Sequence, residues 1–139
     1  MNNLFSFNYR CLIPFHLTDA AGKIFFGHVF SLAHQAFEHF ILEHVQIPWT
    51  FWFKNPDWLV PIKHVEAEYM VPLRAGDYCQ IELQIISLTT SSFTLSSSFY
   101  QSQLCCVVKS VHVFCSLQTG QKIPIPPPLL PTLTQHLTT

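Results

Sequence analysis

Phe5, Phe7, Tyr9, Cys11 and Ile13 alternate with mainly polar residues, the period-2 signature of a half-buried strand, and Pro14 marks its end. The period changes beyond Thr18-Asp19-Ala20-Ala21-Gly22. Val29, Leu32, Ala33, Ala36, Phe37, Phe40 and Ile41 follow the i, i+3, i+4, i+7 spacing of a helix for about four turns. The opposite side carries Ser31, His34, Gln35, Glu38 and Glu43, but Phe30 and Leu42 interrupt it. That mixture predicts a helix embedded in the fold, with a sheet wrapped around it.

Residues 47–58 hold Pro48, Pro56 and an aromatic cluster without sustained period, which predicts a loop with at most a helical turn. Strand patterns return over 60–73 and 78–88, with Arg74-Ala75-Gly76-Asp77 as the turn between them. Residues 92–101 and 104–117 complete four consecutive strands joined by tight breaks. The final segment carries half of the ten prolines. Proline supplies no ladder donor, so an extended tail is expected there, packed on the body or partly disordered. The order strand, helix, four antiparallel strands predicts an α+β fold with the helix on one face of a curved sheet.

Composition adds a demand for cover. Charged residues are 11% of the chain and apolar ones 49%, with 13 Phe, against about a quarter charged in ordinary domains. Self-association would bury the excess apolar surface. At 139 residues the chain fits one domain, expected over 1–122 with the tail at 123–139. The seven Lys and Arg are scattered and the formal net charge is −1, so no footprint for a nucleic-acid backbone is present. The five cysteines contain no Cys-x-x-Cys pair, which argues against a disulfide framework or zinc knuckle and suits a reducing cytosol. No basic region precedes an apolar stretch at the N-terminus, and no apolar run approaches roughly eighteen residues. A cytoplasmic protein without membrane contact is the expectation.

Asp19 is the first candidate for chemistry. A carboxylate just ahead of a helix lies near its positive end, where unpaired N–H groups can hold a developing oxyanion. Such a carboxylate can attack an activated acyl carbon or deprotonate a water. It can equally be a plain cap or turn residue, since Asp is favoured in both places. His34 with Glu38 and His39 with Glu43 are i, i+4 pairs able to share a proton, but no third ligand accompanies them and no metal is expected. His28, near the helix start, is either a polar substrate contact or a solvated first-turn residue. Cys105-Cys106 lies in an apolar strand without a nearby base, which speaks against a thiol nucleophile. The four glycines form no phosphate loop, which speaks against nucleotide hydrolysis. Trp49, Phe51, Trp52, Phe53 and Trp58 suit either an aromatic acyl pocket or a subunit interface.

The run Thr18-Asp19-Ala20-Ala21-Gly22, followed by Ile24-Phe25-Phe26 and the helix, resembles the signature of hotdog-fold acyl-CoA thioesterases of the 4-hydroxybenzoyl-CoA thioesterase type. That pattern is close to D-x-D-x-x-G-x-x-(F/Y)-(F/H). His34-Gln35-Ala36-Phe37-Glu38, Val60-Pro61-Ile62 and Pro72-Leu73-Arg74-Ala75-Gly76-Asp77 look most like the 1,4-dihydroxy-2-naphthoyl-CoA thioesterases, and the likeness spans residues 5–117. The resemblance implies a hotdog fold, one long central helix wrapped by a curved antiparallel sheet. It implies hydrolysis of an acyl-CoA or aryl-CoA, with Asp19 as nucleophile or general base and the backbone N–H groups near Phe26 and Gly27 as oxyanion donors. Gly22, His28 and Arg74 are the substrate-binding expectations, and Lys63 is a further candidate for the coenzyme A phosphates. No cofactor is implied, coenzyme A being part of the substrate. The site is expected between the subunits of a homodimer, or of dimers paired into a tetramer. Three positions depart from the pattern. Leu17 replaces the first Asp, Phe26 stands where many relatives carry His, and His28 stands where the aryl-CoA branch has Asn. A fold retained for acyl-CoA binding without turnover, and a dehydratase using His34 with Glu38, are the rival readings.

Overall fold

In the computed structural model, which describes residues 5–24 and 26–138, the N-terminal alternation becomes strand β1 (Phe7–Leu12). Phe25, part of the Ile24-Phe25-Phe26 signature, lies outside the described residues. Helix α1 (His28–Phe40) buries Val29, Leu32, Ala33, Ala36, Phe37 and Phe40, the stripe its spacing predicts. One wider turn, Ile41–Val45, prolongs it and buries Ile41. Gln46, left-handed at φ 63°, ends the run and donates its N–H to the Ile41 carbonyl (2.9 Å). Leu42 is 71% exposed, so within one chain the helix is covered on one face and open on the other rather than embedded all round.

The aromatic stretch forms the short helix α2 (Trp49–Phe53) and leads through β2 (Trp58–Leu59) to β3 (Ile62–Tyr69). Strands β4 (Tyr78–Leu88), β5 (Ser92–Tyr100) and β6 (Leu104–Val113) follow. The sheet is five-stranded in the order β1-β4-β5-β6-β3, antiparallel at every step. β3 therefore does not pair with β4, although Arg74–Asp77 does turn between them. The chain leaves β3 at one edge and re-enters beside β1 near the other. Alternation dictates which face of a strand is buried, but its partner is chosen by packing across the whole sheet. Register shifts at Ile85/Ser87 and Ile62/His64 are bulges of the kind that increase twist. They help curve the sheet over α1, where Ile81, Leu83, Ile85, Phe93, Leu95 and Phe99 are buried with the helix stripe in one core.

β7 (Cys115–Ser116) pairs with β2. After it, the proline-rich segment is not simply extended. Leu130–Gln135 forms helix α3 with proline in its first turn, a place where the missing N–H is harmless. Leu129 and Leu133 are fully buried. The segment is tied to the body by the N–H of Ile125 donating to the Thr90 carbonyl and that of Thr138 to the Ile85 carbonyl, each 2.8 Å.

Candidate active site

Asp19 sits in a tight loop rather than at the helix terminus. Thr18 bridges Ile24, and the Asp19 N–H donates to the Lys23 carbonyl (2.8 Å). The Asp19 Oδ1 accepts from the N–H groups of Ala21 (2.9 Å) and Lys23 (3.2 Å). Gly22, at φ +74°, supplies the left-handed residue the turn requires. Asp19 is thus the organising residue of its own turn, an Asx arrangement. The cap position of α1 belongs to Gly27, which offers no side-chain cap. Among the described residues nothing donates to Asp19 Oδ2.

Pairing with the opposite loop fixes this turn in space. The Ile24 N–H donates to the Leu73 carbonyl (2.9 Å) and the Ala75 N–H to the Gly22 carbonyl (3.0 Å). Beside the turn opens a cavity of ≈ 360 Å³ lined by Asp19, Lys23, Phe26, Tyr69, Met70 and Cys106, among others. Its wall is mostly apolar, with one carboxylate and one ammonium at the rim. The Tyr69 hydroxyl donates to the Phe26 carbonyl, pinning the chain just before α1 to the end of β3. Burial, and secondarily Cys106, push the Tyr69 phenol up, so it stays a hydrogen-bond donor. Burial, with a smaller push from Cys105, raises the Cys106 thiol to about 11. A neutral thiol is a poor nucleophile.

Phe26 lines the cavity and Gly27 opens the helix without a side-chain cap, so the first-turn N–H groups form the positive end of α1. His28 is the first helical residue. Arg74 bridges Lys23 through the backbone but does not line the cavity, and its Nε donates to the Asp77 carboxylate (2.9 Å). Both partners of that pair are half exposed, so it contributes little to stability. Lys63 does not belong here. It lies at the start of β3 while Tyr69, at its end, lines the cavity, a separation of roughly 20 Å along the strand.

The aromatic loop also stays apart. Trp52 is fully buried and Trp58 nearly so, with Trp58 Nε1 donating to the Trp52 carbonyl (3.0 Å). Trp49 lines a different cavity with Leu42 and Ile47. His34–Glu38 (3.4 Å) and His39–Glu43 (3.1 Å) are exposed ion-pair geometries on the helix surface. Lys23, Tyr69, Met70 and Cys106 are the site residues that sequence reasoning misses. Only Lys23 left a signal, by falling inside the Asp19 turn.

The model of the thioesterase-like superfamily matches residues 13–133. The chain belongs to that superfamily. The thioesterase is 33% identical over 119 residues to the 1,4-dihydroxy-2-naphthoyl-CoA hydrolase of Microcystis aeruginosa, covering 85% of this chain and 86% of the relative. It is 32% identical over 122 residues to the enzyme of the same name from Rippkaea orientalis, covering 85% and 88%. Its backbone matches a 1,4-dihydroxy-2-naphthoyl-CoA thioesterase from Synechocystis with a TM-score of 0.86 at 22% identity, over 94% of this chain and 96% of that one. That last likeness shows the fold, a hotdog, with α1 wrapped by the curved antiparallel sheet. The thioesterase is accordingly a hydrolase of thioesters. Among the described residues no helix is long and apolar enough to cross a membrane.

Proposed function

We propose that this thioesterase hydrolyses an aryl-CoA thioester in the cavity at Asp19, with 1,4-dihydroxy-2-naphthoyl-CoA, the compound in its relatives' names, and 4-hydroxybenzoyl-CoA as candidate substrates. The single observation carrying the reading is the mostly apolar cavity of ≈ 360 Å³ that joins one carboxylate to Phe26, the residue before the glycine N-cap of α1. The acyl carbonyl lies toward the Phe26 and Gly27 N–H groups, where the helix end stabilises negative charge as it develops on oxygen. Asp19, held through Oδ1 by its turn, acts through Oδ2. It either attacks the carbonyl carbon, expelling the coenzyme A thiolate and leaving a mixed anhydride for water to cleave, or removes a proton from the water that attacks directly. Gly22 keeps the turn in shape. Lys23 at the rim, with Arg74 bridged to it through the backbone, suits the coenzyme A phosphates, and His28 remains a substrate-contact candidate.

The same reading extends to a homodimer joined along β3. β3 is an outer strand of the sheet, and an unpaired strand edge is a template for a second copy. Ile62, Val65 and Tyr69 expose more than two-fifths of their surface on it, and its Tyr69 end borders the cavity.

One observation favours the rival, an acyl-CoA binder without turnover: the Asp19 carboxylate already has a structural duty in its turn. Thiol release from matched aryl- and alkyl-CoA thioesters separates the two. Hydrolysis of the aryl esters with kcat/KM at least tenfold above the alkyl esters is expected. Binding without thiol release would establish the rival, and equal rates on both series would remove the aryl preference.

A further inference from the structure

Tyr69 is the last residue of β3, and its hydroxyl donates to the carbonyl of Phe26, the residue just ahead of the α1 N-cap. Both residues line the Asp19 cavity. The bond enters the peptide unit that opens the helix, because the Phe26 carbonyl and the Gly27 N–H share one plane. In a trans peptide these two groups point in opposite directions. Holding the carbonyl on Tyr69 therefore sets the direction of the Gly27 N–H.

Gly27 is the N-cap of α1 and has no side-chain cap. Among the described residues its N–H makes no hydrogen bond to a carbonyl. Its backbone angles are already helical, at φ −72° and ψ −20°, but glycine has no Cβ to confine it to them. A peptide joined to a glycine keeps its orientation best when something outside the loop tethers it. Tyr69 is such a tether, since its own backbone is fixed in the sheet opposite Cys106. Desolvation, and then Cys106, push its phenol up, so the hydroxyl keeps its proton at physiological pH. A donor on the carbonyl side also polarises the amide and strengthens the N–H on the other side.

Resting on the reading that places the acyl carbonyl at the helix end, we propose that Tyr69 is a positioning residue for thioester hydrolysis, aiming and polarising the Phe26–Gly27 peptide so that the Gly27 N–H donates to the developing oxyanion. Tyr69 acts through that peptide and not on the substrate. Charge collects on the carbonyl oxygen when the nucleophile adds and is released when the carbon–sulfur bond breaks. The N–H is worth most at that stage, so the effect of Tyr69 falls on kcat rather than KM.

The test is isotope-edited infrared spectroscopy of a ketone analogue of 4-hydroxybenzoyl-CoA, with a methylene in place of the thioester sulfur and carbon-13 at the carbonyl, bound to the full-length protein. The bound carbonyl is expected to absorb at lower frequency than in water. In Tyr69→Phe it should move back toward the water value, with the affinity for the analogue retained. On 4-hydroxybenzoyl-CoA itself, kcat of this variant should fall about tenfold at unchanged KM, less than the loss from deleting an oxyanion donor outright. Tyr69 lies outside the buried core, so removing one hydroxyl leaves the packing intact. Site-specific 3-fluorotyrosine at position 69, a stronger donor of nearly the same shape, should lower the carbonyl frequency further, and it carries the test if Tyr69→Phe does not fold. The same lowered frequency in all the folded proteins overturns the proposal. A fall in kcat without a change in frequency overturns it too, and leaves Tyr69 as a tether of the loop alone. A wild-type carbonyl that absorbs as it does in water defeats instead the oxyanion reading beneath the proposal.

Discussion

His112 lies between Phe93, with which it stacks, and Phe37, is hydrogen-bonded to Ser110, and shares its small cavity with Ser97 and the His34 ring of α1. Its pKa falls from 6.5 to about 4, so the unfolded chain binds the extra proton between those values. Stability is therefore complete above pH 6.5, declines as pH falls toward about 4 and is flat below. The contribution is about 3 kcal/mol. Urea midpoints at pH 7 and pH 4.5 should separate less in His112→Phe than in the wild type, and identical pH dependence in the two would contradict this. None of it was legible in the sequence, where His112 is one of eight histidines. Its neutrality comes from what β5 and α1 bring against it. Asp19 was only half legible. Its residue type and neighbours identified it as a cap, turn or catalytic group, but the choice of turn depends on the hydrogen bonds from Ala21 and Lys23.

Helix α1 was the most legible element because a 3.6-residue period over four turns has few alternative readings. Every apolar position of its stripe is buried. Phe40, fully buried, packs its ring against Phe5, Phe7, Phe37 and His136. Phe40→Ala should therefore destabilise the protein by about 3–5 kcal/mol, read as a lower urea midpoint with unchanged slope. A loss under 1 kcal/mol would mean that the helix is not packed as described. Strand β4 was equally legible, with ends that match its alternation. The pairing of β3 with β6 was not, since nothing local in Ile62–Tyr69 encodes a partner 37 to 50 residues away. The site inherits that limit. Tyr69 and Cys106 meet Asp19 only because β3 crosses to the edge beside β6, so a reading that proceeds along the chain cannot assemble the cavity wall.

For the whole molecule, the low charge and abundant Phe pointed to covered surface. The exposed apolar residues of β3, together with Met70 just beyond it, show where that cover is needed. Sedimentation equilibrium at micromolar concentration should return twice the chain mass of 16.0 kDa, or four times it if dimers pair. A mass of one chain would contradict the β3-edge assembly. The central claim is that the Asp19 carboxylate performs the hydrolysis. Its most direct test is kcat/KM of Asp19→Asn against the wild type on an aryl-CoA thioester. The amide retains an acceptor oxygen for the Ala21 and Lys23 N–H groups, so the turn is preserved. The account predicts a loss of roughly a hundredfold or more with substrate affinity retained, and wild-type turnover in the variant would contradict it.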